Sequence, residues 1–333
     1  MLFEKGYSIV KGFLIIVFIS IYIPSVILAQ AVDYRVPTRL EAEDFQLPQD
    51  KELLEKFDSV KIPTLIRPML KTEEEYIVPW LRKHTADVQD YELTIKMMRQ
   101  GVLVTERQFG WVNSEVDACA KILHISPRPA VFIVGKGGMK AEALNFKTPF
   151  IVLPSELIDK SSPKAMRFAI GRQMGHIKCD HVFYKTLTSG TSGSLELVLG
   201  KWGQELLNSF FGKVTDLVLV DWILAHEISA DRAGLIACQD LAVAQRALLN
   251  FNLAISFENI KLNVEDYLEQ AKIVEKKREL ILETLPEPVQ NGIGRWQRSE
   301  RLQSAHPFML QRIKALQKYA ESEAYQRLFK SAD

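Results

Sequence analysis

Apolar residues recur at helical spacing over much of the chain. Within 73–100, Tyr76, Ile77, Trp80 and Leu81 are followed by Tyr91, Leu93, Ile95 and Met98, the spacing of an amphipathic helix. Residues 112–125 repeat it with Val116, Ala120 and Leu123. The period then changes. "AVFIV" (130–134) and "PFIVL" (149–153) are short β-rich runs joined by a glycine-containing segment, and they predict two or three strands of a small sheet. Ser162 before Pro163 is a helix start, and the helix it opens is expected to run to about 186. "TSGTSGS" (188–194) follows as a linker. Further helices are expected near 195–211, 213–238, within 240–285, and over 306–322, where Pro307 lies in the first turn. The pattern predicts an α+β fold, mostly helical, with a small β-sheet ahead of a central helix.

The first residues follow a different rule. Lys5 and Lys11 precede an apolar run from Gly12 to Leu28, which ends in Ala29-Gln30-Ala31. A basic start, an apolar stretch and a small-x-small end describe a secretory signal cleaved after Ala31. The run is also close to the shortest that spans a bilayer, so an uncleaved anchor is the alternative. Basic residues before the run and Asp33, Glu41, Glu43 and Asp44 after it place the body on the non-cytoplasmic side in either case, whether periplasmic, luminal or extracellular. Residues 32–65, punctuated by Pro37, Pro48 and Pro63, read as an extended lead-in with one short helix near 50–58. The expected organisation is a signal or anchor over 1–31, an extension over 32–89 and the main domain over 90–325.

Composition narrows the function. Hydrophobic residues are 47% and charged residues 25% of 333, as in a folded globular protein. A formal net charge of +1 offers nucleic acid no bulk attraction, and no nucleic-acid partner is expected. The three cysteines, Cys119, Cys179 and Cys238, lie far apart and read as small core residues.

The chemistry concentrates in "FAIGRQMGHIKCDH" (168–181). Positions 172 and 176 are four apart and share a helix face. Two histidines at that spacing bind zinc in a His-Glu-x-x-His peptidase helix, where the glutamate is the general base. Here the five positions read Arg172, Gln173, Met174, Gly175, His176. A later helix carries "HEISADRAGLIAC", in which Glu227 and Asp231 are again four apart and Glu227 is placed to add a third ligand.

"GHIKCDH", "HEISADRAGLIAC" and "HPFMLQRIKAL", in that order, resemble the HtpX-like and CAAX prenyl endopeptidase family of zinc metallopeptidases, metallopeptidase family forty-eight, over roughly 90–320. The resemblance implies a zincin-like domain in which two histidines and the downstream glutamate hold zinc. His176 and Glu227 match ligand positions, and Asp231 matches a supporting aspartate. Arg172 stands at the first histidine and Gln173 at the base. The strand near 149–153 would lie near the substrate-binding edge. Arginine has no lone pair for a metal, and glutamine cannot take a proton from water.

A positive guanidinium at 172 is also a coherent replacement. It is expected to point between His176 and Glu227 and to pair with the Glu227 carboxylate in a two-pronged fork. The alternative for metal is a shifted site of His176, Asp180 and Glu227. His181 and His226 read as packing or supporting residues, and His306 as a helix start that also suits the cleft. No cofactor is expected, or zinc if the family site survives in altered form.

Three readings follow. The first is an exported pseudopeptidase that binds a polypeptide or protein partner without cleavage. The second is an active metalloendopeptidase with a non-standard metal site. The third is an envelope structural or interaction protein that leaves the cleft unused. A bound metal favours the second, a cleft closed by Arg172 and Glu227 the third, and an open cleft with an exposed strand edge the first. An uncleaved N-terminal segment would add the membrane as a partner.

Overall fold

A computed structural model describes residues 34–62, 64, 67–135, 139–145, 147–189, 216–257, 259–287 and 309–330. The elements, in order, are α1 (Pro48–Asp58), α2 (Ile77–Gln100), β1 (Gly101–Leu103), α3 (Gly110–Ile122), β2 (Ala130–Val134), β3 (Glu142–Leu144), β4 (Phe150–Pro154), α4 (Ser155–Lys160), α5 (Pro163–Lys178), α6 (His181–Ser189), α7 (Asp216–Cys238), α8 (Leu241–Leu253), α9 (Val264–Thr284), α10 (Met309–Ala320) and α11 (Glu323–Leu328). The mostly helical α+β class is as expected. The N-terminal run, the helix near 195–211 and His306 lie outside the described residues. Among those described, no helix is long and apolar enough to cross a membrane.

The sheet has four strands in the order β1-β2-β4-β3. β2 runs parallel to β4, with Val131 opposite Ile151, while β1 and β3 are antiparallel outer strands. The run near 149–153 was expected near a substrate edge. It is an interior strand, β4, and its neighbour β3, inside the segment read as a connector, takes the outer position.

The expected helix 163–186 is two helices. α5 opens with the Ser162 hydroxyl accepting from the Ala165 N–H and stops at Lys178. Asp180 then takes a left-handed backbone conformation, φ 59°. Aspartate tolerates that region better than most residues, and the turn re-aims the chain into α6.

α5 and α7 pack at unusually close range because α5 carries Gly171 and Gly175 where they meet. A Cβ on Gly171 would lie 2.4 Å from the Ala237 Cβ, and one on Gly175 would lie 2.5 Å from the Ala233 Cβ. This contact brings 172 and 176 up to 227 and 231. Gly175→Ala gains about 1 kcal/mol of helix propensity but must force the two helices apart. A net loss of about 2–3 kcal/mol is expected, read as a lower denaturant midpoint at unchanged slope.

Val36–Asp333 form one unit, so the lead-in belongs to the main body. Leu54 and Phe57 of α1 and Ile77 and Trp80 of α2 share a core with Phe183 and Trp222. Cys119, Cys179 and Cys238 are buried and unbridged, as read from the sequence.

Candidate functional site: a buried cluster of two arginines and two carboxylates

Arg172, Gln173 and His176 come from α5, Glu227 and Asp231 from α7, and Arg312 from α10. The Arg172 guanidinium is divided between two carboxylates. Its Nη2 donates to Glu227 Oε2, and its Nε donates to Asp231 Oδ1 at 2.6 Å. Pairing with Glu227 was expected, whereas the two-pronged fork on that carboxylate alone is not what forms. Arg312 makes the fork, on Asp231, with Nε to Oδ2 at 2.7 Å and Nη2 to Oδ1 at 2.8 Å. Its Nη2 also lies 3.4 Å from Glu227 Oε2. Two guanidinium groups and two carboxylates thus alternate in one buried cluster. The Arg172 and Glu227 side chains are 14% and 17% exposed, and Asp231 is fully enclosed.

The charges set each other's protonation. Burial opposes the Glu227 charge, but Arg172, Arg312 and His226 together hold its carboxyl well below the usual carboxylate range. Burial would drive the proton from Arg312, but Asp231 and Glu227 hold it more firmly than usual.

A second buried group adjoins this one. The rings of His176, His181 and His226 stand 5.3–5.5 Å apart by centroid. His181 Nε2 lies 2.8 Å from Asp50 Oδ2, and both side chains are fully buried. A carboxylate only accepts, so His181 Nε2 carries a proton. Neutral His181 then accepts at Nδ1 from His176 Nδ1, 3.0 Å away. His176 is left with a bare Nε2, 4.0 Å from Glu227 Oε1. His226 donates through Nδ1 to the Trp222 carbonyl at 2.9 Å. The break after Lys178 turns His181 back towards His176.

Asp180 does not join them. It lies beyond the end of α5, more than half exposed, and receives both Arg82 Nη1 and Nη2, at 3.0 and 2.7 Å. The left-handed turn at Asp180 removes it from the face of His176, so the shifted site His176–Asp180–Glu227 does not form.

Burial, seconded by neighbouring charges, governs the histidines. It holds His176 well below its ordinary range against the pull of Glu227, and it lowers His181 despite Asp50. The unfolded chain binds these protons near pH 6.5, the folded chain only at lower pH. Their stabilisation is therefore complete above about pH 6.5 and declines as pH falls below it, and Glu227 adds to the loss below about 4.5. Urea midpoints are expected to be level from pH 7 to 8, to fall steadily from about 6.5 downward, and to fall again towards pH 9, where the unfolded chain ionises the thiols of Cys119, Cys179 and Cys238 that burial keeps protonated in the fold.

A model of peptidase family M48 matches residues 106–320. The chain belongs to peptidase family M48. A curated relative, the plastoglobule-localized metallopeptidase 48 of Arabidopsis thaliana chloroplasts, is 24% identical over 304 residues, covering 88% of this chain and 77% of the relative. No solved structure matches it.

The residues present do not fit the zinc that the family implies. His176 Nε2 and Glu227 Oε1 face one another, but Glu227 Oε2 is engaged by two guanidinium groups and the third donor is itself a cation. Among the described residues, no group of three or more His, Cys, Asp and Glu side chains is arranged to hold a metal ion. Gln173 is 2% exposed beside Arg172, with an amide where a base would be needed.

Sequence reasoning missed Arg312 and Asp50. Both left a signal. Arg312 lies on one stripe with Met309, Ile313 and Leu316, and Asp50 with Leu54 and Phe57. A charged residue within an apolar helix stripe points to a buried partner.

Proposed function

We propose that this chain is a pseudopeptidase of family M48, which binds a polypeptide or protein partner and does not cut it. The observation that carries this reading is the Arg172 guanidinium lying on Glu227 and Asp231. A fixed positive charge there neutralises the carboxylate that would otherwise bind zinc, and no water is activated without a metal or a base. Polypeptide binding is supported by β3, an outer strand that an extended chain can extend by main-chain hydrogen bonds. The near-closure of the Arg172–Glu227 centre favours a second reading, an interaction protein that uses another face.

The proposed organisation keeps a signal or anchor over 1–31, an extension over 32–89 and the peptidase-family domain over 90–325, with the body exported. A reporter active only outside the cytoplasm, fused to the C-terminus, is expected to be active.

The functional test uses the full chain and a fluorescent unfolded casein, with and without added zinc. Binding without new fragments is expected in both. Cleavage that stops on chelation would overturn the pseudopeptidase reading, and failure to bind would leave the second reading in its place.

A further inference from the structure

The outer strand at the other end of the sheet carries a different feature. β1 pairs on one side only, with β2. The last turn of α2 leads into it, and a tight turn, with Thr105 bridged to Gln108, leads out to α3. The Gln108 side-chain amide donates to the Leu103 carbonyl at 2.7 Å and holds that turn closed. Around this edge five large apolar side chains stand in water: Met98 at 63%, Val102 at 46%, Leu103 at 37%, Phe109 at 37% and Trp111 at 42% exposure. Scattered apolar exposure is ordinary, but five such residues fall within the single segment 98–111.

The backbone supports the display. Phe109 caps the start of α3 at φ 61°, ψ 40°, with no side-chain cap bond. An aromatic residue in the left-handed region is strained, and such strain concentrates at functional segments. The charges beside these side chains are mostly positive. Lys96, Arg99 and Arg107 are exposed and have no ion-pair partner among the described residues, against one carboxylate, Glu106, within 96–111.

We infer that residues 98–111 dock on an anionic membrane surface, with Trp111, Phe109 and the β1 side chains at the headgroup–acyl boundary and Lys96, Arg99 and Arg107 among the phosphates. Val102 and Leu103 point to opposite faces of their strand, which suits a soft, continuous apolar layer better than a single pocket. Aromatic rings settle at the boundary between headgroups and acyl chains, and each cation near an anionic surface adds attraction. In the alternative where the apolar run Gly12–Leu28 stays uncleaved as an anchor, it would hold the body at such a surface.

The test measures quenching of tryptophan fluorescence by lipids brominated in the upper acyl chain, using the full chain. The difference between the native protein and Trp111→Phe isolates the Trp111 contribution, whatever the N-terminal run does. Strong Trp111 quenching is expected on phosphatidylglycerol-rich vesicles and little on phosphatidylcholine alone. Arg99→Gln, Arg107→Gln and Lys96→Gln are each expected to weaken it about fivefold without moving the urea midpoint. No Trp111-specific quenching on anionic vesicles would overturn the proposal, as would equal quenching on neutral ones. A Trp111 blue shift that grows with protein concentration in the absence of lipid would also overturn it, because a second copy would then cover these side chains.

Discussion

Arg312→Met is expected to lower the unfolding free energy by about 3–5 kcal/mol, the largest single-residue loss in the centre. The side chain is 2% exposed and donates twice to Asp231, which has no access to water. Without it, Asp231 and Glu227 share Arg172 alone, and one buried negative charge is left uncompensated. Methionine fills much of the lost volume, so the deficit measures charge rather than a void. Arg312→Lys keeps the charge but not the two-pronged geometry, and an intermediate loss is expected. Adding Asp231→Asn to Arg312→Met removes the orphaned charge and is expected to recover part of the loss, a coupling that a double-mutant cycle reads directly. A loss under about 1 kcal/mol for Arg312→Met would show that water or a proton already relieves Asp231.

Arg172→His combined with Gln173→Glu is expected to create a zinc-binding protein. The proton assignments favour this outcome. His176 spends its Nδ1 proton on His181 and presents a bare Nε2, and Glu227 Oε1 already faces it at 4.0 Å. Replacing Arg172 leaves Glu227 Oε2 facing Arg312 Nη2 alone, at 3.4 Å, and the new histidine supplies the third donor from the same helix face. Without metal the double variant is expected to be less stable than the native chain by about 3 kcal/mol, because Glu227 loses its nearest cation. Zinc at a thousand times its dissociation constant returns about 4 kcal/mol. Denaturant unfolding with and without zinc is therefore expected to show a large shift in the variant and none in the native protein. A folded variant whose midpoint ignores zinc would mean that the donors are not positioned as their geometry implies.

Much of this was readable in the sequence where one period or one motif decided it. The three-and-four spacing of Tyr76, Ile77, Trp80 and Leu81 located α2, and the four-residue offsets of 172 to 176 and 227 to 231 located the site faces. Legibility ended where tertiary contacts overrode local pattern. β3 is a short Glu-Ala-Leu segment with weak strand preference, and it becomes a strand by pairing with β4. The break at Asp180 has no glycine to announce it, and it decides where both Asp180 and His181 point. The division of Arg172 between two carboxylates depends on Arg312, which lies 81 residues beyond Asp231 in the chain. Asp50 reaches His181 from 131 residues away. Spacing within one helix cannot reveal such partners, although a charge on an apolar stripe marks the residue that needs one.

Under the proposed reading, Arg172 supplies the positive charge that a bound metal would otherwise supply. Elemental analysis of the native full chain, purified without chelator or metal-affinity tag, tests it most directly. Zinc, and every other transition metal, is expected far below one equivalent per chain. Near-stoichiometric zinc in the folded native protein would contradict it.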